Sequence, residues 1–141
     1  MSTLEKAIQI AAAAHAGQFD KAGEKYILHP IRVMLQVATE EEKIVAMLHD
    51  VVEDSEFTLE KLREEGFSDA ILEAVDTLTK RVGETRIEAA KRAAANHIAC
   101  AVKLADNTDN SDLYRIKNPT EKDRARLEEY KKVRTILQNR E

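Results

Sequence analysis

The chain has 141 residues, of which 43% are hydrophobic and only 4% aromatic, with four glycines and two prolines. Acids and bases are interspersed at a net charge of −4, which excludes a nucleic-acid-coating role because no global positive field draws in a polyanion. The single Cys100 excludes an internal disulfide and a thiolate zinc cluster, and no apolar run approaches the roughly 20 residues that span a bilayer.

The length suits one domain over residues 1–141, able to bury about two-thirds of the surface its unfolded chain exposes. Ala, Leu, Ile, Glu, Lys and Arg dominate, so the expected fold class is all-α. With no signal-like apolar core at the start, the expected compartment is the cytoplasm, with neither a nucleic acid nor a membrane as partner. A small anionic substrate held by a few basic residues fits this composition.

In chain order, Ser2 to Glu5 has the form of a capping box, and Leu4, Ile8, Ala11, Ala12 and His15 recur at helical spacing before Gly17. His15 reads as a core or capping residue rather than a ligand. Residues 18–28 read as a loop ending at His29-Pro30, with Pro30 suited to the first helical position. A short buried helix follows through Val37. Glu40-Glu41-Glu42 then favours the positive end of a central helix running from Ile44 through Asp54. Thr58 caps a helix closed by Gly66, and Ser68 caps another that ends near Lys80-Arg81. A polar helix spans about Thr85 to Ala95, and a dense apolar one His97 to Asp106. Thr120 with Asp123 starts the last helix, whose Leu127, Tyr130 and Ile136 are expected to pack on its own core rather than serve a dimer.

The central stretch from Ile44 to Asp54 is apolar on nearly every side, which marks a segment buried all round. Yet His49 and Asp50 stand in its middle, and burying them without partners costs on the order of several kcal/mol. A divalent metal satisfies both; so does a core histidine bonded to a buried carboxylate. His29, His49, Asp50 and Asp106 each fall where an apolar helix begins, is crossed or ends. Two imidazoles and two carboxylates suit Mn²⁺, Fe²⁺, Co²⁺ or Zn²⁺ better than Ca²⁺. On a helix Glu53 projects from the same side as His49 and Asp50, one turn on. Glu53 and Asp54 could then share the work of taking the proton from an attacking water and orienting it or donating to the leaving oxygen.

His29-Pro30, His49-Asp50-Val51-Val52-Glu53-Asp54 and Lys103-Leu104-Ala105-Asp106 with Asn110 together resemble the HD-domain metal-dependent phosphohydrolases, specifically the RelA/SpoT-type hydrolase and its small stand-alone relatives. The likeness runs from about Ala7 to Leu113 and takes in Ala14-His15-Ala16-Gly17-Gln18, Tyr26-Ile27 and Leu78-Thr79-Lys80. It implies a compact all-α HD fold with one ion between helices, most often Mn²⁺, ligated by His29, His49, Asp50 and Asp106. It also implies Glu53 and Asp54 as catalytic acids, and hydrolytic removal of the 3′-pyrophosphate from guanosine tetra- or pentaphosphate. Lys21, Tyr26, Lys103 and Asn110 match positions near the nucleotide. No synthetase portion is expected within the chain.

Two positions depart from that pattern. Asp20 stands where the family's nucleotide hydrolases usually carry Arg before the lysine, and Asp109 where they usually carry His or Tyr before the asparagine. Metal chemistry is expected to survive these changes, and base recognition to differ. The alternatives are a nucleotidase or other phosphomonoesterase of the HD superfamily, a nucleotide-binding module without turnover, and a helical interaction domain whose polar core is structural.

Overall fold

The computed structural model describes residues 3–112 and 116–139; Ser2 of the expected capping box and Leu113 lie outside them. Among the described residues the regular elements are all helices: α1 (Leu4–Ala14), α2 (Leu28–Leu35), α3 (Glu40–Leu48), α4 (Val51–Asp54), α5 (Leu59–Glu64), α6 (Asp69–Leu78), α7 (Arg86–Ala94), α8 (His97–Asn110) and α9 (Glu121–Gln138). An isolated bridge between Phe19 and Lys25 is the extended feature of the α1–α2 connection. No helix among the described residues is long and apolar enough to cross a membrane.

The chain is organised around α3. Thr39 and Glu42 form a reciprocal capping box at its start, with Glu40, Glu41 and Glu42 in the first turn at the positive end of the helix dipole. Ile44 through Leu48 are each no more than 3% exposed. That is the pattern of a helix enclosed on every side, and α1, α2, α6 and α8 all pack against it. Around it, α9 lies on α7 and α8 and buries Val133 and Leu137. Leu127, Tyr130 and Ile136 are half-buried on the same helix, so it does pack on its own core. Cys100 is buried, its Sγ 3.4 Å from the Leu137 carbonyl.

The structure differs from the sequence reading at several helix ends, each with a local cause. The central helix does not run through to Asp54. It stops at Leu48, Asp50 sits at φ −105° and ψ −1°, and α4 starts at Val51. Here His49 Nδ1–H donates to the Ala46 carbonyl at 2.5 Å, occupying the acceptor that the Asp50 amide would use in a continuing helix. At α1 the cap is Thr3 rather than Ser2, its Oγ1 accepting from the Lys6 amide. The helix ends at His15, and Gly17 reverses the chain at φ +82°, where a side chain would be strained. Because α2 begins at Leu28, Pro30 is its third residue; a missing N–H costs nothing anywhere in a first turn. α6 stops at Leu78 because Arg92 and Arg81 take up the carbonyls of Asp76, Thr77 and Thr79. Finally, α8 runs on past Asp106 to Asn110, which puts Asp106, Asp109 and Asn110 on one face.

Candidate metal centre

Three stretches far apart in sequence meet at one point. α2 contributes His29, the α3–α4 junction His49 and Asp50, and α8 Asp106. His29 Nε2 lies 2.9 Å from Asp106 Oδ1 and 3.7 Å from Asp50 Oδ2. His49 Nε2 lies 3.1 Å from Asp50 Oδ2 and 3.5 Å from Asp106 Oδ1. The broken helix produces this convergence, since the turn at His49-Asp50 lets both adjacent side chains face inward.

The donor set fits a divalent cation. Ligand atoms from His29, His49 and Asp50 come within 4.8 Å of one another, with Asp106 against both imidazoles. Each imidazole is held through Nδ1: His49 donates to Ala46 O, and His29 donates to Asp109 Oδ2 at 2.6 Å. Because both partners are acceptors, each Nδ1 keeps a proton, and each Nε2 faces the carboxylates, where it holds a proton in the metal-free centre and would give that proton up to ligate a bound ion. His49 Nε2 is buried and aligned with no hydrogen-bond partner, a cost that a bound ion removes. This holding of one ring nitrogen so that the other can ligate is a recurring feature of histidine metal sites.

The carboxylates are held as firmly. Tyr26 donates to Asp50 Oδ2 at 2.5 Å, Asn110 to Asp106 Oδ1 at 3.1 Å, and Lys103 to Asp106 Oδ2 at 3.3 Å. Three residues matched to the nucleotide's surroundings thus also brace metal-directed carboxylates. The charges respond in kind. Burial would lower His29, but hydrogen bonds to Asp106 and Asp109 outweigh it and raise the imidazole to about 9. Burial likewise opposes charge on His49, and Asp50 pushes it well above its ordinary value. Asp50 is held at about 2, where His49 overcomes the penalty of burial, and Asp109 at about 2 through His29 and Arg32. Burial and the nearby Asp50 raise the Tyr26 hydroxyl, which stays a donor.

The centre opens into a cavity of about 270 Å³ whose wall includes Glu53, Lys80, Arg86, Lys103, Asn110 and Tyr130. Glu53 and Asp54 both come within 4.8 Å of Asp50 through their carboxylate oxygens, but only Glu53 is on the cavity wall. The Asp54 carboxyl is raised to about 6 by partial burial, then by Asp50 and Glu53. Its backbone is pinned by Gln18, whose Nε2 donates to Asp54 O at 2.9 Å while its Oε1 accepts from His15 Nδ1–H. His15 is therefore a buried supporting residue, as its position suggested.

A second cavity of about 280 Å³ adjoins the first at Tyr26, Asn110 and Tyr130. Lys21 lies here rather than at the metal centre, 3.6 Å from Asp123. Asp20 also lines it, but its Oδ1 accepts from the amides of Ala22 and Glu24, so the carboxylate closes the loop on itself. Asp109 is on neither wall; it is buried behind His29. The sequence reading assigned no role to Lys80, Arg86 or Gln18. Lys80 and Gln18 fall within the resembling motifs, whereas Arg86 sits in a polar helix with no chemical signature of its own.

No profile of a known protein family matches the chain. It is 44% identical over 75 residues to the guanosine-3′,5′-bis(diphosphate) 3′-pyrophosphohydrolase of Haemophilus influenzae, across 50% of this chain and 11% of that protein. It is 34% identical over 120 residues to the GTP pyrophosphokinase of Streptomyces coelicolor, across 76% of this chain and 14% of that protein. The chain thus spans between a tenth and a sixth of the length of these curated relatives. A solved structure of a metazoan ortholog of SpoT, described as hydrolyzing ppGpp and acting in starvation responses, superposes with a TM-score of 0.79 at 25% identity, over 99% of this chain and 87% of that one. With the HD geometry and these matches in agreement, the chain resembles the RelA/SpoT-type HD hydrolases in both sequence and fold.

Proposed function

We propose that this chain is a metal-dependent pyrophosphohydrolase that removes the 3′-pyrophosphate from guanosine tetra- or pentaphosphate. The observation that carries the reading is the convergence of His29, His49, Asp50 and Asp106 at the floor of a cavity that Glu53 and three cations also line. A bound divalent cation, Mn²⁺ by family resemblance, supplies a Lewis acid for the phosphoryl group and acidifies water at neutral pH.

The chain's own residues supply the rest. Glu53, beside Asp50, accepts a proton from water attacking the phosphorus attached to the 3′-oxygen. Asp54, its backbone pinned by Gln18, orients that water or returns a proton to the departing 3′-oxygen. The bond from phosphorus to the 3′-oxygen breaks, leaving a 3′-hydroxyl and free pyrophosphate. Lys80, Arg86 and Lys103 neutralise phosphate charge as the substrate leaves water. Lys21 and Tyr26 line the neighbouring cavity and hold the remainder of the nucleotide. The partner is a small anionic nucleotide, not a nucleic acid or a membrane, and the setting is the cytoplasm.

A second reading, hydrolysis of a different phosphorylated nucleotide, draws on the acids Asp20, Asp112 and Asp123 along the adjoining cavity. One experiment separates the two: guanosine and adenosine 3′,5′-bis(diphosphates) and simple 3′-nucleotides are incubated with the protein and Mn²⁺, and released pyrophosphate and phosphate are measured. Pyrophosphate from the guanosine compound is expected. Turnover of another compound with the guanosine one untouched selects the second reading, and no turnover of any overturns both.

A further inference from the structure

The two imidazoles at the centre are not held alike. His49 Nδ1–H donates to a neutral backbone carbonyl, that of Ala46. His29 Nδ1–H donates at 2.6 Å to a buried carboxylate, Asp109, which reaches it from three residues beyond Asp106 on α8. That carboxylate is itself gripped: Arg32 Nε donates to Asp109 Oδ1 at 2.6 Å, and Arg32 Nη2 to Asp109 Oδ2 at 3.1 Å. His29 and Arg32 are three residues apart on α2 and so share a face. Two residues of one helix therefore close on a single side chain of another.

A two-pronged guanidinium fixes both the plane and the position of a carboxylate. A carboxylate accepting from one ring nitrogen fixes the tautomer and aim of the other, and raises its basicity toward a metal. We infer that Asp109, clamped by Arg32, is a positioning residue that makes His29 the stronger of the two imidazole ligands for a divalent cation. The inference rests on the metal reading of the site given above. It also assigns a purpose to one of the two departures in the sequence: Asp109 faces away from the nucleotide cavity and toward the ligand it serves. Arg32 further lies 3.9 Å from Glu24 and 4.0 Å from Asp20, so the α1–α2 loop packs against the same guanidinium.

The test is Mn²⁺ titration of chelator-treated full chain, wild type against Asp109→Asn, Asp109→Leu and Arg32→Gln. Alongside it, imidazole ¹⁵N NMR of the Zn²⁺-loaded proteins and thermal melting of the metal-free ones are recorded. Wild type is expected to bind one Mn²⁺ per chain, with His29 protonated on Nδ1 alone. Asp109→Asn, which keeps an acceptor but loses the charge, is expected to bind about 10- to 100-fold more weakly with the tautomer retained. Asp109→Leu is expected to bind weakest and to lose the single His29 tautomer, and Arg32→Gln to show a smaller loss in the same direction. Should Asp109→Leu fail to fold, the Asn and Gln variants decide. Wild-type affinity in both of these, with only melting temperature lowered, would overturn this inference and leave the metal reading standing. No stoichiometric Mn²⁺ in wild type would overturn both.

Discussion

The two cavities that meet at Tyr26, Asn110 and Tyr130 are built on opposite terms. The cavity of the candidate metal centre draws its proposed ligands from three buried helical stretches, and the imidazoles and carboxylates there are fixed by second partners: Ala46, Asp109, Tyr26, Asn110 and Lys103. The adjoining cavity is walled by a solvent-facing loop and one face of α9, and mixes Lys21 and Arg126 with Asp20, Asp112 and Asp123. Its Lys21 is 54% exposed and lies against Asp123 only at 3.6 Å. Geometry that must be correct to a fraction of an ångström sits on packed helices, while the part proposed to hold the rest of the substrate sits where sequence can drift at little cost in stability.

That contrast predicts a steep gradient of mutational effects. His49→Ala removes a proposed ligand from the fixed side and is expected to abolish both stoichiometric metal and detectable turnover, measured by metal analysis and pyrophosphate release. Metal retained at one per chain would break the comparison at its strongest point. Glu53→Gln lies on the same cavity but outside the ligand set. It is expected to keep the metal and lose about 10²- to 10⁴-fold in kcat. Unchanged turnover would remove Glu53 from the chemistry.

A pH dependence follows from the same packing. In the metal-free protein His29 is raised to about 9 by Asp106 and Asp109 against the cost of burial, and His49 is raised as well. A group whose folded value lies above its unfolded value stabilises the fold while both forms are protonated. That contribution is complete below about pH 6.5 and fades as pH rises through 9. Chelator-treated protein is therefore expected to lose stability steadily between these limits, read by denaturant titration. Metal-loaded protein should instead hold its stability there, because the ion replaces the protons, and lose it at low pH, where protons displace the ion. Equal pH profiles with and without metal would contradict the site.

The contrast also explains what the sequence disclosed. The buried helix around Ile44–Leu48, the caps at Thr58, Ser68 and Thr120 and the helix start near Thr85 are local signals, and each sits in the folded chain within a residue or so of its expected place; the Thr39 cap emerges only in the structure. His29, His49, Asp50 and Asp106 stood out because chemistry-bearing side chains in apolar surroundings are conspicuous. The break at His49-Asp50 was hidden, since it depends on an imidazole capturing a carbonyl three residues back. The role of Asp109 was hidden for a similar reason. Its spacing from Asp106 was plain, but Arg32 and His29 come to it across 77 and 80 residues of chain. Asp20 and Asp109 looked alike as losses of recognition; one closes a loop and the other braces a histidine.

On the looser side the effects shrink. Lys21→Ala removes a half-exposed cation from the adjoining cavity and is expected to raise KM about tenfold with kcat little changed, the mark of lost uniform binding. A fall in kcat of the same size would move Lys21 to the reacting end of the substrate.

Asp20 gives the smallest and sharpest comparison, because its two possible duties answer differently to two substitutions. Its Oδ1 accepts from the Ala22 and Glu24 amides at 2.8 and 3.0 Å, and the loop also turns on Gly23 at φ +82°. Asparagine keeps that acceptor and tolerates the turn, so Asp20→Asn should leave thermal stability unchanged. It also removes a negative charge beside the proposed anionic substrate, so KM should fall about two- to threefold, within the modest range of a screened surface charge. Asp20→Ala removes the same charge along with the turn, and should cost about 1 kcal/mol of stability as two amides lose their partner. If both variants melt like wild type but differ from it in KM, Asp20 serves recognition alone. If Asn is silent in both assays and only Ala destabilises, the residue is a loop closure and the adjoining cavity takes its selectivity from elsewhere on its wall.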